Sequence, residues 1–408
     1  MTVSPKIQTT KRIERSAYGP EFICPVSSGC YYIYLDTRNI NSGPLVLSTL
    51  LLHNVRAQLA ASHDHKYLSI GGIKIRRRYR HKYFKPYKRA PCELIISCMY
   101  NMESAATTLY LDKSARGAQK RREILEATLE AIKAGAITIA DISHDLAAKV
   151  RFSMQLTIYY PPPSQLSQWA DYLMPPTSSR PSGAEVSVLE MSTLEGARML
   201  VDTLSSCSQS FGRIAILNFA NPVTPGGGVL VGAPDQEESI ARSSTLYPCL
   251  TSEKANALYH LHHEDDQHGF YHHAMLFTPS VVVFRNDPGE WVSPFEVDVL
   301  TCAAVNAAKV RAELWSHHDM GVLENRILKE MKERMARVLF LFEQLGSKNI
   351  VLGGFGTGAF QNDIESVAKI WAELLIGQGA RFGRSFHRVV FAILGKNTFD
   401  IFKGVFNG

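Results

Sequence analysis

From residue 185 onward, short apolar segments alternate with amphipathic ones, and this alternation restricts the fold more than any other feature. Apolar segments typical of buried strands lie at 186–189, 213–218, 281–284, 297–301, 349–352 and 387–394. Amphipathic segments predict helices between them, including one over 192–204 that Ser192 and Glu195 open as a capping box, and others over 325–345 and 363–375. The sequence therefore predicts an α/β fold with a mixed, mostly parallel sheet flanked by helices, and functional loops at the carboxyl ends of strands.

Two regions precede this α/β domain, which we place at 185–408. Residues 116–184 contain Leu125, Leu129 and Ile132 at the i, i+4, i+7 spacing of an amphipathic helix, followed by a stretch rich in proline and serine. We expect a helical accessory region there, as an N-terminal extension of the sheet domain. Residues 1–115 show no sustained periodicity, and we expect a poorly defined region, with disorder as one outcome.

Composition restricts the class of protein. With 408 residues, of which 45% are hydrophobic, the chain can bury a sizeable core. The seven cysteines form no CxxC pair, which favours a reducing compartment. The N-terminus lacks the apolar centre of a signal peptide, and the longest apolar stretch, at 44–55, is too short to span a bilayer. We expect an intracellular protein, cytoplasmic or nuclear, that does not contact membranes and is monomeric.

Positive charge is concentrated in one short segment. Residues 74–89 contain nine lysines and arginines and no acid, and subtracting these nine from the net charge of +6 leaves −3 for the rest of the chain. Tyrosines and a phenylalanine lie between the basic residues, so the segment fits a polyanion contact or a localisation signal. A solvated tail explains it equally well, and both interpretations stay open.

Two glycine-rich loops directly follow apolar segments. The first contains Gly226, Gly227 and Gly228, and then the polar series Gln236, Glu237 and Glu238 at a predicted helix start. The second runs from Gly353 to Phe360. Glycine lets a backbone approach a ligand closely, and free N–H groups of such loops bind phosphates. Acids in a first helical turn are also common dipole partners, so the residues alone leave catalysis and capping equally open.

The order of these motifs resembles the microbial-type poly(ADP-ribose) glycohydrolases, which have a macrodomain-like fold. The resemblance lies in three glycines followed by a short spacer and Gln-Glu-Glu, with Asn218-Phe-Ala-Asn before them and Arg242-Ser-Ser-Thr-Leu-Tyr-Pro after them. Val283-Phe-Arg-Asn-Asp, Thr301-Cys-Ala-Ala, the second glycine loop and Arg388-Val-Val-Phe-Ala-Ile-Leu follow in the family's order. It covers the chain from about residue 119 onward.

The resemblance implies a reaction and a set of residues. It implies hydrolysis of ribose–ribose bonds in poly(ADP-ribose), exo-acting with release of ADP-ribose, with Glu238 as general acid and then base and Glu237 holding ribose hydroxyls. Substrate-binding residues expected by position are Asn221, Gly226, Gly227, Gly228, Gln236, Gly354, Phe355, Gly356, Thr357, Gly358, Ala359 and Phe360. No cofactor or metal is implied, and the expected partners are poly(ADP-ribose) and ADP-ribosylated proteins.

Two other functions stay open from the sequence. A macrodomain reader would bind ADP-ribose without catalysis, although two adjacent acids offer a pure binder little. A hydrolase of mono-ADP-ribosylated proteins would use the same residues. Six histidines and three acids within 259–273 suggest a metal site, but they lack a helical HExxH spacing, so we expect a solvated loop there.

Overall fold

The structure is a computed structural model that describes residues 114–172, 183–206, 212–314 and 319–407, together with the backbone of five earlier strands. The chain divides into two units, Met1–Arg116 and Gly117–Gly408. The first unit contains one antiparallel sheet in the order β1-β2-β3-β5-β4. Its strands are β1 (Arg15–Ser16), β2 (Gly19–Val26), β3 (Gly29–Leu35), β4 (Tyr67–Ile70) and β5 (Ile73–Arg77). The basic segment thus begins within β5, and its remainder, 78–89, lies outside the described residues.

A helix that starts at residue 114 runs into the second unit, which also ends with a helix. Its strands are β6 (Ala136–Ile139), β7 (Ile142–Asp145), β8 (Ile158–Tyr160), β9 (Glu185–Leu189), β10 (Ile214–Phe219), β11 (Met275–Arg285), β12 (Trp291–Cys302), β13 (Asn349–Leu352) and β14 (Arg388–Ala392). Its helices are α1 (114–134), α2 (Ala147–Leu156), α3 (Thr193–Ser205), α4 (Gln236–Ser243), α5 (Leu246–Leu250), α6 (Glu253–Glu264), α7 (Ala307–Leu314), α8 (Met320–Gln344), α9 (Ile364–Leu375) and α10 (Lys396–Asn407).

A mixed seven-stranded sheet forms the centre of this unit, in the order β8-β11-β12-β10-β13-β14-β9. The pairs from β12 to β9 are parallel, whereas β11 runs antiparallel to both of its neighbours. The carboxyl ends of β10, β12 and β13 therefore meet at one edge of the sheet, where the two glycine loops follow β10 and β13. The predicted fold class, with its helical N-terminal extension, is confirmed.

Helices cover both faces of the sheet because the central strands are apolar on both sides. On β10, Ala215 and Leu217 face a core that includes residues of α8 and α9, whereas Ile214 and Ile216 face a core that includes residues of α3 and α4. Burial on two faces explains why the sequence of this strand is a continuous apolar run rather than an alternating one. It also holds the loop after Phe219 on a rigid base.

Most elements agree with the sequence-based expectations, and three differ. The strands expected at 281–284 and 297–301 are parts of the longer β11 and β12, which form a hairpin with a bulge between Thr278 and Val281. The helix expected at 325 begins at Met320, after the Asp319 cap. The accessory region also contains the hairpin of β6 and β7, and its strand β8 extends the main sheet.

Candidate active site

Glu237 and Glu238 lie in the first turn of α4 and are both buried, with 2% and 6% of their surface exposed. Two buried carboxylates on adjacent residues are costly unless each has partners. The helix begins after Asp235, whose side chain makes no capping hydrogen bond. The side chains of Glu237 and Glu238 instead accept hydrogen bonds from the loop after β10, so the acids join the helix to that loop.

Glu237 is held by the end of β10. Its Oε2 accepts a hydrogen bond from the Asn221 backbone N–H at 2.7 Å, and its Oε1 accepts one from Asn218 Nδ2 at 3.3 Å. Burial raises the pKa of Glu237 to about 8, against the opposing effect of these hydrogen bonds, and the nearby charge of Glu238 adds to the rise. Glu237 is therefore mostly neutral at pH 7.

Glu238 has one satisfied oxygen and one that is not. Its Oε1 accepts a hydrogen bond from the Gly228 N–H at 2.7 Å. Its Oε2 is buried and has no hydrogen-bond partner among the described residues. A buried carboxylate oxygen that the protein leaves without a partner is suited to a group of the substrate, such as a hydroxyl or a bridging oxygen.

The glycines of the first loop are needed for this approach. Gly227 has a φ of +57°, and a Cβ there would lie 2.4 Å from Glu238 Oε1 and 3.0 Å from Glu237 Oε2. Gly226 has a φ of +69°, and a Cβ there would lie 2.9 Å from the ring of Tyr247. A side chain at Gly227 would displace the acids and one at Gly226 would displace Tyr247, so both positions need glycine, and Gly227 serves the geometry of the carboxylates directly.

Two polar residues fix α4 relative to the sheet. The Gln236 side chain accepts from the Phe219 N–H at 2.8 Å and donates to the Leu217 carbonyl at 2.8 Å, so both ends of its amide are used by β10. Asp287 accepts from Ser239 Oγ at 2.7 Å and from Ser192 Oγ at 2.6 Å, which joins α4 to the start of α3. The sequence did not single out Asp287 for this contact, because its partners lie far away in the chain.

Asn221 lies directly after β10 and shapes the loop. Its Oδ1 accepts from the backbone N–H groups of Val223 and Thr224, at 3.0 and 2.9 Å, while its own N–H donates to Glu237. Such a turn is typical of asparagine. The residue thus stands beside the buried acid Glu237.

The second loop presents backbone donors. The N–H groups of Gly356, Gly358, Ala359 and Phe360 have no acceptor within the described part of the chain. Thr357 Oγ1 donates to the Gly354 carbonyl at 2.9 Å and steadies the turn. Several free N–H groups in one turn form a site for an anion such as a diphosphate. At the start of α9, Asp363 caps the helix by accepting from the Ser366 N–H, which occupies one of the free donors of that helix terminus.

The aromatic residues of this loop have different surroundings. Phe355 is fully buried, and its ring centre lies 5.6 Å from that of Phe219 at the end of β10. Phe360 is half-buried, with its ring centre 6.2 Å from that of Tyr271. A Cβ on Gly353 would lie 3.0 Å from the Phe219 ring, so the start of the second loop lies against the end of β10. The structure thus brings the predicted residues of both loops to one edge of the sheet.

The histidine-rich segment is not the solvated loop that the sequence suggested. Residues 253–264 form α6, and His262 is buried with 1% exposure. Its Nδ1 lies 3.3 Å from the Pro222 carbonyl, and its Nε2 lies 3.2 Å from the His272 N–H. Burial lowers the pKa of His262 to about 4, so the ring is neutral, with one donor and one acceptor. The helical period puts one face of the segment into the core, a pattern that the density of polar residues concealed.

Within the described residues, no three histidine, cysteine or acidic side chains are grouped as metal ligands. In the same part of the chain, none of the helices is both long and apolar enough to cross a membrane.

Comparisons with known proteins agree on one family. Residues 126–286 match the family model described as microbial-type PARG, catalytic domain, where PARG stands for poly(ADP-ribose) glycohydrolase. The solved PARG structure from Thermomonospora curvata is 31% identical with a TM-score of 0.61, and the match covers 70% of this chain and 99% of that one. The PARG from Deinococcus radiodurans in complex with ADP-ribose is 28% identical with a TM-score of 0.54, covering 63% and 96%. A search of curated protein sequences found no match.

Proposed function

Because this chain belongs to the microbial-type poly(ADP-ribose) glycohydrolases, we propose that it hydrolyses ribose–ribose bonds of poly(ADP-ribose) from the polymer end and releases ADP-ribose, with Glu238 as the acid and base. Membership in the family makes the chain a glycohydrolase. The observation that carries the residue assignment is the buried Glu238 Oε2, which has no hydrogen-bond partner in the described residues.

The chemistry needs one group that gives and regains a proton. Glu238 in its acid form donates its proton to the bridging oxygen as the bond from that oxygen to the ribose anomeric carbon breaks, so the polymer leaves as an alcohol. The carboxylate then takes a proton from a water molecule whose oxygen bonds to the anomeric carbon. Glu238 is thereby restored to its acid form, and the products are ADP-ribose and a polymer shorter by one unit.

The surrounding residues support this assignment by position. Glu237 accepts a hydrogen bond from the Asn221 N–H at 2.7 Å, and its raised pKa of about 8 keeps it mostly protonated at pH 7, so it adds little negative charge beside Glu238. We assign it the ribose hydroxyls. The free N–H groups of Gly356, Gly358, Ala359 and Phe360 receive the diphosphate. Gln236 and Phe355, whose groups are used or buried inside the protein, act by positioning the two loops.

Replacing Glu238 by glutamine tests the role. Glutamine keeps the size and accepts from the Gly228 N–H but cannot supply a carboxylic proton, so ADP-ribose release from polymer should fall roughly 100-fold or more. Affinity for ADP-ribose, measured by calorimetry, should stay near the wild-type value. Glu253→Gln, an exposed first-turn acid of α6, is the matched control and should leave both quantities unchanged.

The size of the early products and the preferred substrate distinguish the remaining possibilities. Early products that consist of ADP-ribose alone support exo action, whereas short oligomers at early times contradict it. Release of ADP-ribose from a mono-ADP-ribosylated protein at a rate equal to that from polymer would instead favour a hydrolase of mono-ADP-ribosylated proteins. An E238Q protein that retains near wild-type turnover refutes the assignment to Glu238, and wild-type protein that binds ADP-ribose without cleaving polymer refutes the proposed function.

A further inference from the structure

A mixed basic and apolar surface lies beside Glu238. The proposed cleavage of the terminal ADP-ribose does not use it. It consists of Lys120, Arg121 and Arg122 on α1 and of Leu230 and Val231 on the turn that follows the three glycines. Leu230 is 60% exposed and Val231 is 67% exposed, which is unusual for large apolar side chains on one short turn. We name these five residues the exit surface.

The apolar part of the exit surface is next to the acid. The Gly228 N–H donates to Glu238 Oε1 at 2.7 Å, and the turn Val229–Val231 begins at the next residue. Glu238 Oε1 and Val231 Cγ2 each lie 3.6 Å from the position that a Cβ on Gly228 would take. A group that leaves Glu238 in this direction therefore meets Val231 within the length of one nucleoside.

The basic part is held against the same turn. Arg121 Nε donates to the Gly232 carbonyl at 2.7 Å, directly after Val231. Gly232 has a φ of +75°, and a Cβ there would lie 2.1 Å from the Ala118 carbonyl oxygen, so α1 packs on the turn without a gap. The structure thus brings Arg121, with Lys120 and Arg122 next to it on α1, to this turn although the three residues lie more than a hundred residues earlier in the chain.

The positive charges of these three residues are not neutralised by acidic partners among the described residues. None of them forms an ion pair within the described residues, and Arg122 donates only to the neutral side chain of Gln119. Lys120 is exposed, and Arg121 and Arg122 are half-exposed. The nearest acid along the helix, Glu123, accepts from Gln119 instead. Three unpaired cations beside two exposed apolar side chains match a ligand that carries both phosphates and a flat apolar ring.

The exit surface and the diphosphate loop have different neighbours. A Cβ on Gly353 or Gly356 of the second loop would meet Phe219, Ala304 and Ala392, whereas a Cβ on the glycines around the Val229–Val231 turn would meet Ala118, Ala233 and Tyr247. If the terminal ADP-ribose extends from Glu238 toward the second loop, the alcohol that leaves must extend the other way. That alcohol is the adenosine ribose of the next unit, which carries an adenine and a diphosphate of its own.

We propose that the exit surface binds the polymer unit on the leaving side of the scissile bond, with Lys120, Arg121 and Arg122 at its diphosphate and Leu230 and Val231 against its adenine. The proposal rests on the proposed function and adds to it a binding site for the part of the substrate that is not released as ADP-ribose. It makes long polymer a better substrate than a mono-ADP-ribosylated protein, because only polymer supplies a second nucleotide.

Charge reversal of the outer two cations tests the basic part. In the full chain, Lys120→Glu combined with Arg122→Glu should raise KM for long polymer about ten-fold at low salt, and the difference should shrink at high salt. The kcat and the affinity for ADP-ribose should not change. Arg121 is left in place because it holds Gly232. The control is Lys133→Glu, an exposed lysine of α1 that lies roughly 20 Å farther along the helix.

The apolar part has its own variant. Leu230→Ser combined with Val231→Ser should also raise KM for polymer, but with little dependence on salt. An unchanged KM in both double variants, or an equal rise in the Lys133→Glu control, overturns the proposal. A fall in ADP-ribose affinity overturns it as well, since the surface would then serve the terminal unit. If the wild-type protein cleaves no polymer, that result contradicts the proposed function itself, whereas the outcomes above contradict only the role of the exit surface.

Discussion

At the scale of single residues, the site depends on two adjacent acids whose environments differ. Glu237 has hydrogen-bond donors on both of its oxygens, yet burial is the larger effect and raises its pKa to about 8. Asn218 Oδ1 is buried without a partner beside it. Turned around, this amide would offer its oxygen to a protonated Glu237, which agrees with the raised pKa. A neutral Glu237 lets a second buried carboxyl exist beside it.

The raised pKa of Glu237 makes a stability prediction. Between its unfolded pKa of 4.5 and its folded pKa of about 8, the folded state holds a proton that the unfolded state has lost. The contribution of this group to the free energy of unfolding is therefore fully present below pH 4.5 and declines with rising pH, by up to about 1.4 kcal/mol per pH unit. Glu237→Gln removes that decline.

The two proteins should therefore be similarly stable at pH 4.5, and the variant should be the more stable at pH 8. Urea unfolding of both proteins across this pH range measures the difference. Glu253→Gln supplies the control, because that acid is exposed in the folded state. Parallel stability curves for wild type and Glu237→Gln would show that the carboxyl is charged in the folded protein.

His262 and His263 are adjacent and should behave in opposite ways. His262 is 1% exposed and joins Pro222 to His272 through both ring nitrogens, so alanine leaves a cavity and two unpaired backbone groups. We expect His262→Ala to lower the free energy of unfolding by on the order of 2 kcal/mol. His263, whose side chain is 78% exposed, should tolerate alanine within about 0.5 kcal/mol. Equal melting temperatures for the two variants would contradict the burial of His262.

At the scale of elements, the glycines of the second loop divide into structural and ligand-facing positions. Gly356 has a φ of +75°, and a Cβ there would lie 2.5 Å from Ala304 Cβ and 2.6 Å from Asn362 Nδ2. A Cβ on Gly358 would meet nothing within 4 Å, and its φ is outside the left-handed region. Of these two glycines, only Gly358 can therefore accept a side chain without disturbing the fold.

Substitutions at these two positions should separate folding from binding. Gly356→Ala should lower the melting temperature, because both the φ and the contacts oppose it. Gly358→Val should leave the melting temperature unchanged and weaken ADP-ribose binding about ten-fold, since the side chain would fill space over the free N–H groups. Calorimetry with ADP-ribose and thermal unfolding of both variants give the answer. Unchanged affinity in Gly358→Val would remove the loop from the diphosphate site.

The strands and helices of the sheet domain could be predicted where local pattern and tertiary context agree. The capping box of Ser192 and Glu195 forms as expected, and β13 has the predicted bounds. The strands expected at 281–284 and 297–301 are too short, and just before the first of them Pro279 interrupts the apolar pattern. In the structure the chain bulges there, with Ser280 at a φ of +54°, and pairing resumes at Val281. A bulge depends on the partner strand, which local pattern does not reveal.

The residues of the site also fall into those that the sequence identifies and those that it does not. Residues that carry the chemistry are near one another along the chain, so the glycines and acids of the first loop can be identified from the sequence alone. Residues that hold them in place are distant, such as Asp287 beside Ser239 and Ala118 beside Gly232. Contacts of this kind follow from the packing of whole elements, and nothing in a linear pattern indicates them.

At the scale of the whole molecule, two units of different character share one chain. The match to the Thermomonospora curvata structure covers 99% of that protein and 70% of this chain, so about three-tenths of this chain has no counterpart there. Residues 117–408 contain both glycine loops, both acids and the exit surface. We therefore propose that the catalytic function belongs to the second unit, whereas the five-stranded sheet of the first unit carries the start of the basic segment.

This division predicts the effect of removing the first unit. A chain that begins at Lys113 should fold and should release ADP-ribose from short polymer at the wild-type kcat, because every residue assigned to the chemistry follows that point. With long polymer, KM should also stay near the wild-type value if the exit surface supplies the polymer contact, and it should then still rise on Lys120→Glu with Arg122→Glu. If KM for long polymer rises on truncation alone, by an amount that declines with salt, the basic segment at 74–89 is a second polyanion contact. Loss of kcat on short polymer would show that the first unit is needed for catalysis.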